Sequence, residues 1–254
     1  MRQRALMPLT LVVLLLISIV PLPVSSSETT ITTDITWSEN QVLSGNITVA
    51  AGATLTIAAG VVVDGGDGYR IEIAGSLEAQ GAHFFSSAEP QSPTSHGVGL
   101  WQGLVITSTG TAILEDVIIE NSNAGIRSNG DLTIENLTVI DSYIGIRNMG
   151  TCHINLFSTE AIDNEAILNS GTITLNNGSI NNSAIGISST GSAIIEDSEF
   201  SNVGVAVAAS LGDLTAKNIT LVSASVGLAT NYGVQFQASE IQSSNVSLLA
   251  DLSN

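Results

Sequence analysis

One short phrase recurs along this chain about every twenty residues, and it constrains the fold more than any other feature. Its copies pair a small residue with an aliphatic one, and they begin at Gly125, Gly145, Ala166, Gly186, Ala206 and Gly227. The intervals are 20, 21, 20, 20 and 21 residues. Such a repeat is typical of one supersecondary unit stacked on itself, because each copy is too small to bury its apolar face alone.

The copy from 125 to 144 shows what the unit contains. Leu132 and Ile134 alternate with polar residues, which is the period of a strand with one buried face. Turns are indicated at Asn129-Gly130 and at Asp141-Ser142. The repeat therefore predicts an all-β fold, a single-stranded right-handed parallel β-helix with coils of about 20–21 residues and three short strands per coil.

Apolar residues fall into columns when the copies are aligned. The first inward column reads Leu104, Ile126, Ile146, Ile167, Ile187, Val207 and Leu228. The second strand contributes Ala112, Leu132, Cys152, Ile173, Ala193, Leu214 and Val234, beside a partner column that ends at Phe236. The third strand contributes Ile119, Val139, Ile180, Phe200, Leu221 and Ile241. The copy from 152 to 164 carries an extra residue and loses this register, so we expect a bulge there.

Two further columns are not apolar. A glycine recurs at one turn, where we expect positive φ angles: Gly110, Gly130, Gly150, Gly171, Gly191, Gly212 and Gly233. Three residues before the third-strand positions, a polar residue recurs as Asp116, Asn136, Asn177, Asp197 and Asn218, with Ala238 at the last rung. We interpret these residues as an inward structural ladder whose side chains satisfy turn backbone groups in neighbouring coils.

These columns resemble those of right-handed parallel β-helix proteins of the pectin-lyase-like architecture, which carry an asparagine ladder between their second and third sheets. The segment from Asn46 to Gly60 resembles the opening coil of many secreted β-helices, and Trp101-Gln-Gly-Leu104 resembles the entry to their regular coils. The resemblance covers roughly residues 37 to 250. It implies the fold and not an activity, because this architecture hosts many unrelated functions.

The N-terminus has the pattern of a secretory signal. Arg2 and Arg4 precede an apolar stretch from Leu9 to Val20, and small residues follow up to Ser27. We predict a signal peptide over 1–27, with an uncleaved anchor as the alternative, and a secreted, extracellular or cell-surface protein with no membrane span after signal removal. A β-helix domain then covers 28–254, with irregular coils over 37–100, a loop at 86–99 and regular coils over 101–245.

Charge and cysteine content limit the partners. The formal net charge is −17 and becomes about −19 without Arg2 and Arg4, which argues against nucleic acid as a partner. Cys152 falls in an inward column and is expected to be a small buried hydrophobe. The three histidines lie at unrelated positions and form no metal-ligand set, so we predict no metal and no cofactor.

The outward column of the first strand carries the clearest candidate site. It reads Val105, Arg127, Arg147, Leu168, Ser188, Ala208 and Ala229, with no carboxylate. Lyases and polygalacturonases of the resembled architecture use carboxylates there, so no catalytic residue is predicted on this face. Arg127 and Arg147, one coil apart, predict contact with a small anion or an acidic sugar. The alternative is pairing with Asp131, Asp141 or Glu120.

The insertion at 86–99 is the only loop that exceeds turn length. It contains Glu89 and His96 and leads into Trp101. Long loops in tight arrays often carry function, so these three residues are candidates for sugar contact, with Trp101 stacking on a ring. The alternative is that Trp101 covers the edge of the first regular coil.

Six Asn-x-Ser/Thr sequons occur, and three of them coincide with the predicted ladder. Because we expect ladder residues to face inward, the remaining three are the better glycosylation candidates. These are Asn46, Asn181 and Asn245.

Taken together, the sequence favours a secreted or cell-surface β-helix that acts as a structural or recognition module contacting glycans or other surface proteins. The alternative is a carbohydrate-active enzyme, a polysaccharide lyase or hydrolase, whose site lies outside the first sheet. The chain stops soon after a coil, so we also expect end-to-end self-association through unpaired strand edges.

Overall fold

The structure, a computed structural model, describes residues 28–88, 101–231 and 234–251, and in these ranges the chain is an all-β parallel solenoid. The first three coils contain β1 (Thr29–Ile31), β2 (Ile35–Trp37), β3 (Gln41–Val42), β4 (Ile47–Val49), β5 (Thr54–Ile57), β6 (Val62–Asp64), β7 (Arg70–Ile73), β8 (Ser76–Gln80) and β9 (His83–Phe85). The stack thus begins at Thr29, ahead of the expected start near residue 37.

The later coils begin with separate strands and continue with longer ones that run through the turns. They contain β10 (Gly103–Ile106), β11 (Thr111–Glu115), β12 (Val117–Glu120), β13 (Ala124–Ser128), β14 (Asp131–Ile134), β15 (Leu137–Ser142), β16 (Ile144–Asn148), β17 (Thr151–Ile154), β18 (Phe157–Asn169), β19 (Thr172–Asn176), β20 (Gly178–Ser189), β21 (Ser192–Ala209), β22 (Asp213–Val222), β23 (Val226–Thr230), β24 (Gln235–Ser244) and β25 (Leu248–Asp251).

Each strand pairs in parallel with its equivalent in the next coil, which produces three sheets. The first sheet contains β1, β4, β7, β10, β13 and β16, the C-terminal ends of β18, β20 and β21, and then β23 and β25. The second sheet begins with β2, β5, β8, β11, β14, β17 and β19, and the third begins with β3, β6, β9, β12 and β15. The predicted fold class is therefore confirmed, as is the bulge, which lies between Ile162 and Glu165.

The inward apolar columns form one continuous core. All seven residues of the first column, from Leu104 to Leu228, are buried. Cys152 is buried among them, and burial raises the pKa of its thiol to about 12. Thr159 is the buried residue that fills the third-strand rung between Val139 and Ile180.

The register of the last coil differs from the prediction. Leu214 pairs with Phe236 rather than with Val234, and Ile219 rather than Leu221 pairs with Ile241. The interval from Leu214 to Phe236 is 22 residues, so the strand is displaced by two positions. A displacement of two residues keeps every side chain on its face, and for that reason the alternation of apolar residues does not reveal it.

The recurrent glycines are required by close backbone approach rather than by positive φ. Of those described, only Gly212 has a positive φ, at 74°. A Cβ atom at Gly130 or Gly150 would lie 2.2 Å from a carbonyl oxygen of the preceding coil, and one at Gly191 would lie 2.0 Å away. The prediction of left-handed glycines was therefore wrong at Gly110, Gly130, Gly150, Gly171 and Gly191, while Gly233 lies outside the described residues.

The predicted inward ladder faces outward. Asp116, Asn177, Asp197 and Asn218 are exposed and Asn136 is half-buried. The four exposed residues adopt φ angles of 50–52°, a left-handed conformation that Asn and Asp tolerate better than other residues. The next rung is Glu240, at 57°, rather than Ala238. The residues still form ladder bonds, since Asn136 Nδ2 donates to Asp116 Oδ1 at 2.9 Å and Asn218 Nδ2 donates to Asp197 Oδ1 at 2.7 Å.

An inward polar ladder does exist, at the turn that follows the first sheet. It is formed by four buried residues in register: Ser128, Asn148, Asn169 and Ser189. Asn148 Nδ2 donates to Asn169 Oδ1 at 2.8 Å, and Asn169 Nδ2 donates to Ser189 Oγ at 3.0 Å. Sequence reasoning missed this column, although its signal was a Ser or Asn two residues after the aliphatic residue in the first four of the six phrases.

Candidate functional site

Trp101 belongs to the core and is not a sugar-stacking residue. Its side chain is fully buried, and its ring stacks on Phe84 with a centroid distance of 6.0 Å. Its Nε1 donates to the carbonyl oxygen of Glu120 at 3.2 Å. A Cβ atom at Gly65 would lie 2.5 Å from the Trp101 ring, so the preceding coil is shaped around the indole. The other two loop candidates, Glu89 and His96, lie outside the described residues.

The chain that leads into the 86–99 insertion is anchored by Asp64. Its Oδ1 accepts from the backbone N–H groups of Gly66 and Ser87, and its Oδ2 accepts from Ser87 Oγ. Burial alone raises the pKa of Asp64, but the hydrogen bonds from Ser87 and Gly66 outweigh it, so the pKa lies below the ordinary value of 3.8. The carboxylate therefore stabilises the entry to the insertion.

His83 pairs with Glu120, which lies in the next coil of the third sheet. The distance from His83 Nε2 to Glu120 Oε2 is 3.1 Å, and both side chains are about one-third exposed (36% and 32%). Glu120 is thus engaged on the third sheet and is not a partner of the arginines. Among the described residues, no group of three or more His, Cys, Asp or Glu side chains is placed to hold a metal ion.

Three arginines lie on the outward face of the first sheet. Arg127 and Arg147 are register partners in adjacent coils, as predicted. In the two coils that precede Arg127, the same outward column is occupied by Val105 and, before it, by Glu72. The column therefore does contain a carboxylate, which the prediction overlooked because its alignment began at Val105. Arg70 Nε is 3.1 Å from Glu72 Oε2, so this carboxylate is paired.

Arg127 is held by amide oxygens rather than by a carboxylate. It is half-buried, and its Nη2 donates to Gln102 Oε1 at 3.4 Å and to Asn123 Oδ1. Burial lowers the pKa of Arg127, and the positive charges of Arg147 and Arg70 lower it further. Its charge is thus disfavoured by its surroundings, although an arginine remains protonated at any ordinary pH.

A second candidate surface is a shallow groove on the second sheet. Three surface depressions of about 260, 370 and 280 Å³ lie along it, between the same two outward columns. The first column reads Thr56, Glu78, Ile113, Thr133, His153, Thr174, Ile194, Thr215 and Gln237. The second reads Gln80, Glu115, Glu135, Asn155, Asn176, Glu196, Lys217 and Ser239. The groove therefore runs parallel to the solenoid axis.

The groove side chains keep most of their hydrogen-bonding capacity for solvent. Within the part of the chain that the structure describes, one side-chain bond joins members of these columns, from Asn155 Nδ2 to Glu135 Oε2 at 3.3 Å, and both residues belong to the second column. The buried ladder of Asn148 and Asn169 is, by contrast, saturated by bonds within the coils. Sequence reasoning placed no site here, because its candidates came from the first sheet and the 86–99 loop.

The accessibility of the sequons differs from the expectation. Asn245 is exposed, but Asn46 and Asn181 are half-buried. Asn46 Oδ1 accepts from the backbone of Arg70, and Asn181 Oδ1 accepts from two side chains of the next coil. Asn177 and Asn218, set aside as inward, are exposed. The argument that separated the three candidates from the ladder sequons was therefore wrong, while glycosylation itself stays a prediction.

No protein-family model matches the chain, and no curated protein matches it. Among solved structures, the chain is similar to the enzymatically active domain of tailspike protein 2 of bacteriophage CBA120, with 12% sequence identity and a TM-score of 0.32. The match covers 84% of this chain and 39% of that chain. At this identity and score, and with this share of the other chain covered, the likeness carries no argument about this protein. No helix among the described residues is long and apolar enough to cross a membrane.

Proposed function

We propose that this protein is a secreted or cell-surface recognition module, a rigid β-solenoid that contacts a polysaccharide along its second sheet. The observation that carries the proposal is the row of three depressions along the second sheet, which lie between two outward columns of mostly polar side chains. Neighbouring parallel strands are about 4.7–4.9 Å apart, so each rung presents its side chains at a regular step along the groove. A linear polymer can contact many such rungs at once.

The chemistry of the groove suits a hydroxyl-rich chain. Thr133, Thr174, Asn155 and Asn176 offer donors and acceptors on consecutive or nearby rungs. Ile113 and Ile194 are 51% and 44% exposed in the same column and offer apolar surface. The strands of this sheet already pair on both sides within the stack, so a peptide cannot add as a further strand on this face.

The fold supports a more specific assignment to right-handed β-helices of the pectin-lyase-like type. Three parallel sheets and coils about 21 residues apart are the features that favour it. The predicted signal over 1–27 supports secretion. N-terminal sequencing of the exported protein tests that part of the proposal, because retention of residues 1–27 would contradict cleavage.

The binding test uses immobilised acidic and neutral polysaccharides and a matched pair of variants. Asn176→Ala removes a groove side chain, whereas Ser179→Ala removes an exposed side chain of the same coil on the third sheet. Loss of a neutral hydrogen bond should weaken polysaccharide binding by about 2- to 10-fold in Asn176→Ala alone. Equal affinity of the two variants, or no binding across the panel, would contradict the proposal.

A carbohydrate-active enzyme is the second candidate, and the acidic residues of the groove favour it. Glu115 and Glu135 lie on adjacent rungs, about 4.8 Å apart at the backbone. Retaining glycosidases place two carboxyl groups about 5–5.5 Å apart. If the protein releases product from a polysaccharide and Glu135→Gln abolishes that release, the protein is an enzyme and the proposal of a recognition module is wrong. Product release lost instead on changing Glu89 or His96 would place the chemistry at the 86–99 loop.

A further inference from the structure

The positive charge of this acidic protein is concentrated on one face. Of the six basic residues, Arg2 and Arg4 lie in the N-terminal segment. Three of the remaining four, Arg70, Arg127 and Arg147, project from the first sheet within four consecutive coils, and Lys217 lies on the second sheet. The chain has 23 acidic residues, and Arg70 pairs with one of them, Glu72, whereas Arg127 is held by amide oxygens.

Packing does not account for Arg127 and Arg147. Like charges directly opposite on neighbouring strands destabilise a sheet. The groups that hold Arg127 are the amide oxygens of Gln102 and Asn123, which orient the guanidinium without neutralising it. The carboxylate nearest in the column, Glu72, is paired with Arg70. The amide oxygens fix the orientation of the Arg127 guanidinium but leave its positive charge. Such an arrangement suits a binding site in which an anionic ligand supplies the negative charge.

From this arrangement we infer that Arg127 and Arg147 form a binding site for an oxyanion. The ligand group is a sulfate or a carboxylate, which accepts two parallel hydrogen bonds from a guanidinium. It is either a free anion or a substituent of an acidic polysaccharide. The site lies on a different sheet from the proposed groove, so one can fail while the other stands.

The test measures sulfate binding by calorimetry and by thermal unfolding, with sodium chloride at equal ionic strength as the reference. Screening of the net charge acts equally in both salts, whereas specific binding raises the melting temperature further, in proportion to ln(1 + [L]/Kd). We expect Arg147→Gln, a change at an exposed side chain, to weaken sulfate binding by at least about 10-fold. Ser179→Asp makes the same change in net charge at an exposed position on the third sheet and should leave sulfate binding unchanged.

Two outcomes would overturn the site: equal stabilisation by sulfate and chloride, or equal losses of sulfate binding in Arg147→Gln and Ser179→Asp, which would indicate general electrostatics. Dextran sulfate and unmodified dextran identify the source of the anion. Binding of dextran sulfate that depends on Arg147 assigns the site to an acidic polymer. Binding of inorganic sulfate alone, with the same dependence, assigns it to a small free anion.

Discussion

Asn169→Ala tests the buried ladder that organises the turn after the first sheet. Asn169 is fully buried, and its Oδ1 accepts from Asn148 Nδ2 at 2.8 Å. Its Nδ2 is shared among Ser189 Oγ at 3.0 Å, the carbonyl oxygen of Ser192 at 3.1 Å and that of Gly171 at 3.3 Å. One side chain therefore joins three successive coils.

The cost follows from the groups that lose a partner. Asn148 Nδ2 keeps the carbonyl oxygens of Gly150 and Thr172, and Ser189 Oγ keeps that of Gly191, so these groups remain bonded. The carbonyl oxygen of Gly171 loses the side-chain donor but still accepts from the backbone N–H of Ser192 at 2.9 Å. The change removes the buried side-chain bonds from Asn148 and to Ser189 and Ser192, and a buried hydrogen bond contributes about 0.5–1.5 kcal/mol net. We therefore expect the free energy of unfolding to fall by about 2–4 kcal/mol.

Equilibrium urea unfolding measures this loss, with Ser170→Ala as the matched control. Ser170 is the next residue, is exposed, and accepts one exposed hydrogen bond from Thr190 Oγ1. Its replacement should change the free energy of unfolding by no more than about 0.5 kcal/mol. The two variants are compared by their urea midpoints, provided that the m-value of unfolding is the same in both. A loss in Asn169→Ala no larger than in Ser170→Ala would refute the role we assign to the ladder.

Three further predictions concern local features. Asn177 has a φ of 51° at an exposed turn, so Asn177→Ala should be about 1 kcal/mol less stable than Asn177→Gly in urea, and equal stability would contradict the left-handed turn. Gly150→Ala places a Cβ atom 2.2 Å from a carbonyl oxygen and should cost about 1–3 kcal/mol by the same assay, whereas a neutral result would show that the coils can separate there. The lowered pKa of Asp64 adds stability that is present above its ordinary value of 3.8 and is lost as pH falls through the folded-state pKa. The stability difference between wild type and Asp64→Asn should therefore shrink on acidification below about pH 4, and a difference independent of pH would exclude the carboxylate as its source.

The sequence was sufficient to predict the stack, because the signal for it is repeated in every coil. An aliphatic residue such as Ile126 or Ile146 returns at the same phase of each repeat, and only a parallel stack gives all of them the same buried environment. The bulge near Ile162 and the burial of Cys152 followed from the same alignment. The adjacency of Arg127 and Arg147 also followed, since residues at one phase of the repeat become neighbours.

The orientation of the polar columns required the tertiary structure. Asn148 and Asn177 are the same residue type at recurrent turn positions, yet one is buried and the other exposed. The difference arises from backbone conformation, because the left-handed φ at Asn177 directs its side chain outward. A sequence pattern records which residue recurs at a turn and not the sign of its φ angle.

The contents of the surfaces were likewise decided by three-dimensional packing. A tryptophan beside a long loop suggests a binding residue, but the indole of Trp101 packs over Phe84 and beside Gly65 of the preceding coil. The repeat in the sequence does not reveal this packing. The depressions on the second sheet depend on the spacing between the side chains of neighbouring coils, which the sequence does not specify. A repeat of about twenty residues thus determines which residues stack on one another, whereas the conformation of each turn and the fit between coils determine which of them face the solvent.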